Sequence, residues 1–169
     1  MDNEFLKISE VIKPETVALE MNDVTCKAQA INRLAGMLYQ AGHLTDLDAY
    51  IKSVYEREQL GPTYMGNFIA IPHGKCDAVK AAGVAFGLSK NSFQYETELG
   101  EGPVKLVFLL AIPNQMSADA YVAVLARLAR LLVHEEFCLN LYNASSYQDV
   151  FNAILTGEKL LEDLSNSIS

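Results

Sequence analysis

Gly66-Asn67-Phe68-Ile69-Ala70-Ile71-Pro72-His73-Gly74-Lys75 is the stretch that decides how the rest of the chain is read. Asn67 to Pro72 has the apolar run of a buried strand. Pro72 then fixes one backbone angle. Gly74 lets the chain turn sharply and leaves room above a ring. His73 therefore stands just past a strand, at a sheet edge of the kind where α/β proteins commonly hold active groups. A neutral imidazole, with its reference pKa of about 6.5, is nucleophilic near pH 7. It can attack phosphorus and hold the group as a covalent phosphoramidate.

Upstream lies Tyr55-Glu56-Arg57-Glu58. A phosphoryl group on His73 needs donors for its oxygens. The planar, always-charged fork of Arg57 suits that task, and backbone N–H groups near Gly74 can add to it. Such a transfer is mostly positioning and charge stabilisation. On residue type alone, a hydrogen-bonded structural histidine and a solvated helix-end arginine remain the competing readings.

Working outward, Gly83 to Leu88 and Val104 to Ile112 read as further strands. The second is nearly all apolar, as expected of a strand covered on both faces. Asn91 to Gly102 reads as an excursion between them. Thr16 to Met21 alternates and predicts a short strand, while the first dozen residues are ambiguous. Ala30, Ile31, Leu34, Ala35 and Leu38 recur at helical spacing behind Asp23 and Thr25, both good N-caps. Thr45-Asp46-Leu47-Asp48 predicts a capping box for a helix carrying Tyr50, Ile51, Val54 and Tyr55. Leu60-Gly61-Pro62 breaks that pattern. Ser117 can cap a long helix with Tyr121, Val122, Leu125, Leu128, Ala129 and Leu132 as its stripe. A shorter helix follows, from Ser146 through Leu155, and Glu162 to Ser169 reads as a loose polar end. Strands alternating with helices predict an α/β fold, a three-layer sandwich with a mixed central β-sheet flanked by helices on both faces.

The 169 residues suit one domain. A formal charge of −8 argues against a general nucleic-acid binder and against attachment to anionic lipid. No apolar run approaches a membrane span of about 20 residues, and the N-terminus shows no secretory signal. Three scattered cysteines, Cys26, Cys76 and Cys138, and three separated histidines offer no metal-ligand spacing. The expectation is a reduced, cytoplasmic protein without a metal or other cofactor.

The run from Tyr55 to Glu58, then Thr63, then Tyr64 to Gly74 resembles the signature of the IIA domain of the mannitol/fructose class (type 2) of the bacterial phosphoenolpyruvate-dependent sugar phosphotransferase system. That family pairs Arg-Glu with a Thr-Gly-like turn and a strand ending in Ala-Ile-Pro-His-Gly. Tyr64 and Met65 stand where small residues are usual. Tyr121 to Phe137 is similar to the family's Leu-Ala-Arg-Leu-Leu helix. The resemblance covers roughly residues 5 to 157. It implies a IIA domain over residues 1–157 and a C-terminal helical or disordered tail over 158–169.

It also implies a role. His73 would accept a phosphoryl group on Nε2 from the phosphohistidine of HPr, with Arg57 steadying the phosphate. The group would pass to a IIB domain, generally to a cysteine, and the IIC membrane partner would couple sugar phosphorylation to uptake. The family's second active-site histidine aligns with Tyr121, which can line the site but stays neutral near pH 7. Packing on the core is the alternative for that residue.

Other residues carry weaker expectations. His43 reads as solvated, and His134 as a helix-end cation. Lys75 reads as a surface lysine and Cys76 as packing. Tyr64, Met65 and Phe68 are candidates for an apolar docking rim, with Phe68 favoured as core. Two further functions compete with sugar uptake. One is a regulatory IIA-like protein, nitrogen-related or antiterminator-type, whose phosphorylation state controls binding to a target. The other is a small metal- or ligand-binding domain using His73. The sugar itself is not legible.

Overall fold

The computed structural model describes residues 7–168. The first six residues, and with them half of the ambiguous N-terminal segment, lie outside the described residues, as does Ser169. The chain is an α/β sandwich in which, among the described residues, six strands form one mixed sheet accompanied by helices. The elements run α1 (Ile8–Val11), β1 (Ile12–Ala18), α2 (Lys27–Gln40), α3 (Leu47–Gln59), β2 (Tyr64–Gly66), β3 (Ile69–Ala70), β4 (His73–Cys76), β5 (Gly83–Thr97), β6 (Gly100–Pro113), α4 (Ala118–Leu132), α5 (Glu135–Tyr142) and α6 (Tyr147–Ile168). They form two compact units, one spanning Ile12–Gln115 and the other made of the N-terminal residues to Val11 with Met116 onward.

In the first unit, β5 and β6 form a long antiparallel hairpin, and β1 lies parallel to β5. The other edge of β6 is used twice. It pairs in parallel with β3 through Leu106 and Val107, then with β4 through Leu110 to Pro113. The excursion expected over Asn91–Gly102 is instead the outer part of this hairpin, with a bulge between Leu88 and Phe93. A bulge interrupts the alternation that strand periodicity relies on.

The predicted strand over Asn67–Pro72 is also broken up. Asn67 and Phe68 form the tight turn between antiparallel β2 and β3, with φ of 51° and 68°. A two-residue hairpin turn of type I′ asks for positive φ at both central positions. Asparagine tolerates this, whereas a phenylalanine there is strained. Phe68 is not core, as favoured above, but 40% exposed, with the Lys105 ammonium 5.0 Å from its ring centroid.

Burial explains the helices of this unit. Ala30, Ile31, Leu34, Ala35 and Leu38 of α2, with Tyr50 and Val54 of α3, join Val104, Val107, Leu109 and Ala111 in one core. The alternate residues of the hairpin, Phe86, Leu106, Phe108 and Leu110, are buried too, and the Phe86 and Phe108 rings sit 4.9 Å apart. Both faces of β6 are therefore dry, as its composition predicted.

The caps differ in detail. Asp46 accepts the N–H of Ala49 at 3.0 Å, and Ser117 that of Ala120 at 3.1 Å. Cys26, rather than Asp23 or Thr25, stands at the N-cap position of α2 without a side-chain capping bond, while Asp23 is engaged by Arg33 at 2.6 Å and Thr25 donates to Gln29. His43 is buried rather than solvated. Its carbonyl takes the N–H groups of Lys80 and Ala81, its Nδ1 faces the Ala81 carbonyl at 3.2 Å, and a Cβ on Gly83 would come within 2.6 Å of its ring. A turn that receives a second loop is no longer a surface.

In the second unit, α4 stops at Leu132, and His134 becomes the N-cap of α5 instead of the end of one long helix. The helix expected to stop at Leu155 runs on to Ile168. The supposed loose end is held in two ways. Glu162 pairs with Lys7 at 2.8 Å, and Glu158 is buried where it accepts the Ser9 N–H at 3.3 Å.

Candidate functional site

Helix α3 carries Arg57 in its last turn, and the chain then turns through Leu60–Gly61–Pro62 into β2. Arg57 is half-buried, and its Nη1 donates to the Gly61 carbonyl at 2.9 Å. This bond lies across the break that ends the helix, so it holds the guanidinium near that turn. His73 opens β4, opposite Leu110 of β6. Its neighbour Gly74 has to be a glycine, because a Cβ there would collide with Ser53 and meet Val54 of α3 at about 3.0 Å. The close approach of α3 to β4 is what brings Arg57 and His73 into one region of the fold.

The floor beneath His73 is tied to the same helix. Tyr50 of α3 is fully buried, and its hydroxyl donates to the Leu110 carbonyl at 2.7 Å. Burial pushes this phenol well above its ordinary pKa, so it remains a donor. Tyr50→Phe will destabilise the fold by about 1 kcal/mol, read as a lower midpoint in chemical denaturation. An unchanged midpoint would show that the bond contributes nothing.

His73 is 2% exposed. Its Nδ1 lies 2.9 Å from the Ile71 carbonyl oxygen. A carbonyl only accepts, so Nδ1 carries the proton, and the neutral ring has its lone pair on Nε2. Burial pulls the ring's pKa below the ordinary 6.5. The Ile71 hydrogen bond and the Glu58 charge oppose this, and the Arg57 charge adds to it. The pair of residues singled out from the sequence is thus electrostatically coupled: the guanidinium disfavours the protonated ring and leaves the nucleophilic form.

This has a measurable sign. With its folded pKa depressed, His73 keeps its lone pair throughout the neutral range. An NMR titration of the ring will place its midpoint below 6.5, with the protonated form confined to lower pH. The same depression contributes stability that is present above the unfolded value and is lost as pH falls through the folded one. A ring midpoint above 6.5 would contradict the geometry.

Tyr121 belongs to the other compact unit, half-buried in the first turn of α4 with its N–H donated to the Ser117 carbonyl at 3.0 Å. Met65 is 39% exposed beside Phe68, and Tyr64 is half-buried, so the hairpin of β2 and β3 presents apolar surface. Lys75 is half-buried rather than fully at the surface, and Cys76 packs against the core as expected. Among the described residues no cluster of metal-ligating side chains occurs and no helix is long and apolar enough to cross a membrane. Sequence reasoning missed the buried carboxylate of Glu58, which sits beside Arg57 in the chain and acts on His73 through its charge.

A mixed sheet carrying an Arg-Glu helix end and a Pro-His-Gly strand start defines a family. Residues 10–157 match the family described as phosphoenolpyruvate-dependent sugar phosphotransferase system, EIIA 2, and the chain belongs to it. It is 34% identical over 143 residues to the fructose-specific EIIA component of Haloferax volcanii, covering 85% of this chain and 91% of that protein. It is 32% identical over 130 residues, 77% of this chain, to the 2-O-alpha-mannosyl-D-glycerate-specific EIIABC component of Escherichia coli (strain K12), and spans only 20% of that protein's length.

Among solved structures, the nitrogen regulatory protein IIA-Ntr of Neisseria meningitidis is similar with a TM-score of 0.76 and 27% identity. That match covers 87% of this chain and 98% of the other. The enzyme IIAMTL complex with phosphorylated enzyme IIBMTL from Escherichia coli is similar with a TM-score of 0.71 and 25% identity, over 86% of this chain and 99% of the matched one.

Proposed function

We propose that the protein is a phosphoryl carrier in which His73 takes a phosphoryl group from the phosphohistidine of HPr and passes it to a IIB domain for sugar uptake. The observation that carries this reading is the hydrogen bond from Nδ1 of His73 to the Ile71 carbonyl at 2.9 Å, which leaves the lone pair on Nε2. In the first transfer Nε2 attacks the phosphorus. The P–N bond of the donor breaks, and the donor imidazole keeps the electron pair. In the second, a IIB thiolate attacks the same phosphorus and the P–Nε2 bond breaks, returning the lone pair to His73.

Arg57 stabilises the charge that spreads over the phosphoryl oxygens in both steps. Because His73 is so little exposed, the donor's phosphorus reaches Nε2 only when docking uncovers the ring. Met65 and Phe68, exposed on the hairpin that precedes the site, supply apolar surface for such short-lived docking. The reading rests on His73 and Arg57 and assigns no step to Tyr121. The similarity to a IIA domain in complex with phosphorylated IIB supports the acceptor.

The test supplies phosphoenolpyruvate, enzyme I and HPr to the full chain. Acid-labile phosphate on Nε2 of His73, identified by its ³¹P signal and discharged by an added IIB domain, is the expected result. A chain that stays unlabelled while a control IIA is charged would defeat the reading.

One observation favours a second reading. The likeness to a nitrogen regulatory IIA, together with a tyrosine in place of the second histidine, fits a protein whose phosphorylation state controls binding to a target. Sugar phosphorylation by a reconstituted IIA–IIB–IIC set separates the two. Product formation removes the purely regulatory reading. Charging of His73 without sugar turnover supports it.

A further inference from the structure

Glu58 is 8% exposed, so its carboxylate has lost most of its water. Such a group is tolerated only with partners that replace the solvent. It has three. The Thr63 hydroxyl donates a hydrogen bond to Oε2. The Tyr95 hydroxyl donates to Oε1 at 3.2 Å, and the Lys27 ammonium lies 3.5 Å from the same oxygen. The Thr63 and Tyr95 hydroxyls are themselves 3.1 Å apart, and the Lys27 ammonium sits 5.1 Å from the centroid of the Tyr95 ring. Burial, and then the Glu58 charge, push the Tyr95 phenol far up, which keeps it a donor to the carboxylate. Three side chains, from α2, the loop after α3 and β5, thus converge on one anion carried by α3, none of them required by the transfer chemistry.

What they hold is Thr63, and Thr63 holds Ile71. The Thr63 carbonyl accepts the Ile71 N–H at 3.0 Å. Ile71 lies between the two short ladders that β3 and β4 make with β6, and its bond to Thr63 extends the pairing of β2 with β3 one step beyond Tyr64 and Ala70. Its own carbonyl is the group that accepts the hydrogen bond from His73 Nδ1–H. The line of contacts therefore runs from a buried carboxylate to the nitrogen that decides where the imidazole keeps its lone pair.

We propose that Glu58 and Thr63 are positioning residues for the phosphoryl-accepting histidine: the carboxylate clamps Thr63, Thr63 fixes Ile71, and the Ile71 carbonyl holds His73 in the tautomer with its lone pair on Nε2. The consequence for transfer rests on the carrier reading above. The consequence for the tautomer does not.

The test uses the full chain, with two-bond ¹H–¹⁵N correlation spectra of the His73 ring and transfer kinetics from phospho-HPr. In the unaltered protein the spectra will show the Nδ1–H tautomer. Thr63→Val, which keeps the shape and removes the hydroxyl, will populate the Nε2–H tautomer. It will also lower kcat for phosphoryl acceptance about tenfold with little change in KM, the lower end of the loss that follows removal of the group orienting a metal-bound histidine. Thr63→Ser restores the hydroxyl and will restore both readouts, and Glu58→Gln will shift both in the direction of Thr63→Val.

A folded Thr63→Val protein with an unchanged tautomer overturns the proposal, as does an Nε2–H tautomer in the unaltered chain. Should Thr63→Val fail to fold, Tyr95→Phe takes its place. A shift in the same direction supports the clamp, and an unchanged tautomer counts against it. If the unaltered protein accepts no phosphate at all, the carrier reading falls, while the tautomer measurements still decide the clamp.

Discussion

His73→Gln will take up no phosphoryl group from phospho-HPr and will pass none to a IIB domain. The effect is total because the substitution removes the bond-forming atom. A carboxamide nitrogen has its lone pair delocalised into the adjacent carbonyl and does not attack phosphorus, and β4 carries no other histidine. The expected reading is label at background under conditions in which the unaltered chain is fully charged. Because His73 is buried against β6, the variant must be shown to fold by its amide spectrum, and His73→Ala provides a second variant of different shape. Acid-labile phosphate on either folded variant would place the acceptor elsewhere and remove the imidazole from the mechanism.

Arg57→Ala will slow phosphoryl acceptance on the order of 10²-fold, the loss typical when one preorganised donor to a developing anionic charge is removed. The guanidinium matters twice. Its fork matches two phosphoryl oxygens at once, and its charge helps to hold the His73 ring neutral. Arg57→Lys keeps a charge but loses the fork, so it will recover only part of the rate. Both variants also lose the specific bond to the Gly61 carbonyl, a contact outside the core. Stability should fall by no more than about 1 kcal/mol. The second readout is the ring titration. Without the Arg57 charge, the His73 midpoint will move up toward 6.5. A normal rate and an unmoved midpoint in Arg57→Ala would show that the guanidinium faces solvent and plays no part.

His73 and Arg57 stood out as candidates in the sequence because their signals are local. Pro72 and Gly74 bracket His73 in the chain, and Arg57 closes a helix whose stripe and cap are both written in order. Helix α2, the buried strand β6 and the Ser117 cap were legible for the same reason. Phe68 was misread because its neighbours make a good strand, and only the pairing of β2 with β3 turns Asn67-Phe68 into the bend. His43 was misread because what buries it is the loop around Ala81 and Gly83, some forty positions on. The clamp on Glu58 had no signature at all. Its partners Lys27 and Tyr95 lie 31 and 37 positions away, and only the docking of α2 and β5 beside α3 assembles them.

Composition and periodicity were enough to assign an α/β fold, and the Pro-His-Gly strand start marked an imidazole as the candidate reactive group, since these depend on covalent order and on short-range rules of chain geometry. Which ring nitrogen keeps the lone pair was settled in three dimensions. It follows from where one carbonyl points, and that carbonyl sits in a gap of the sheet braced by residues far apart in the chain, so no local pattern encodes it.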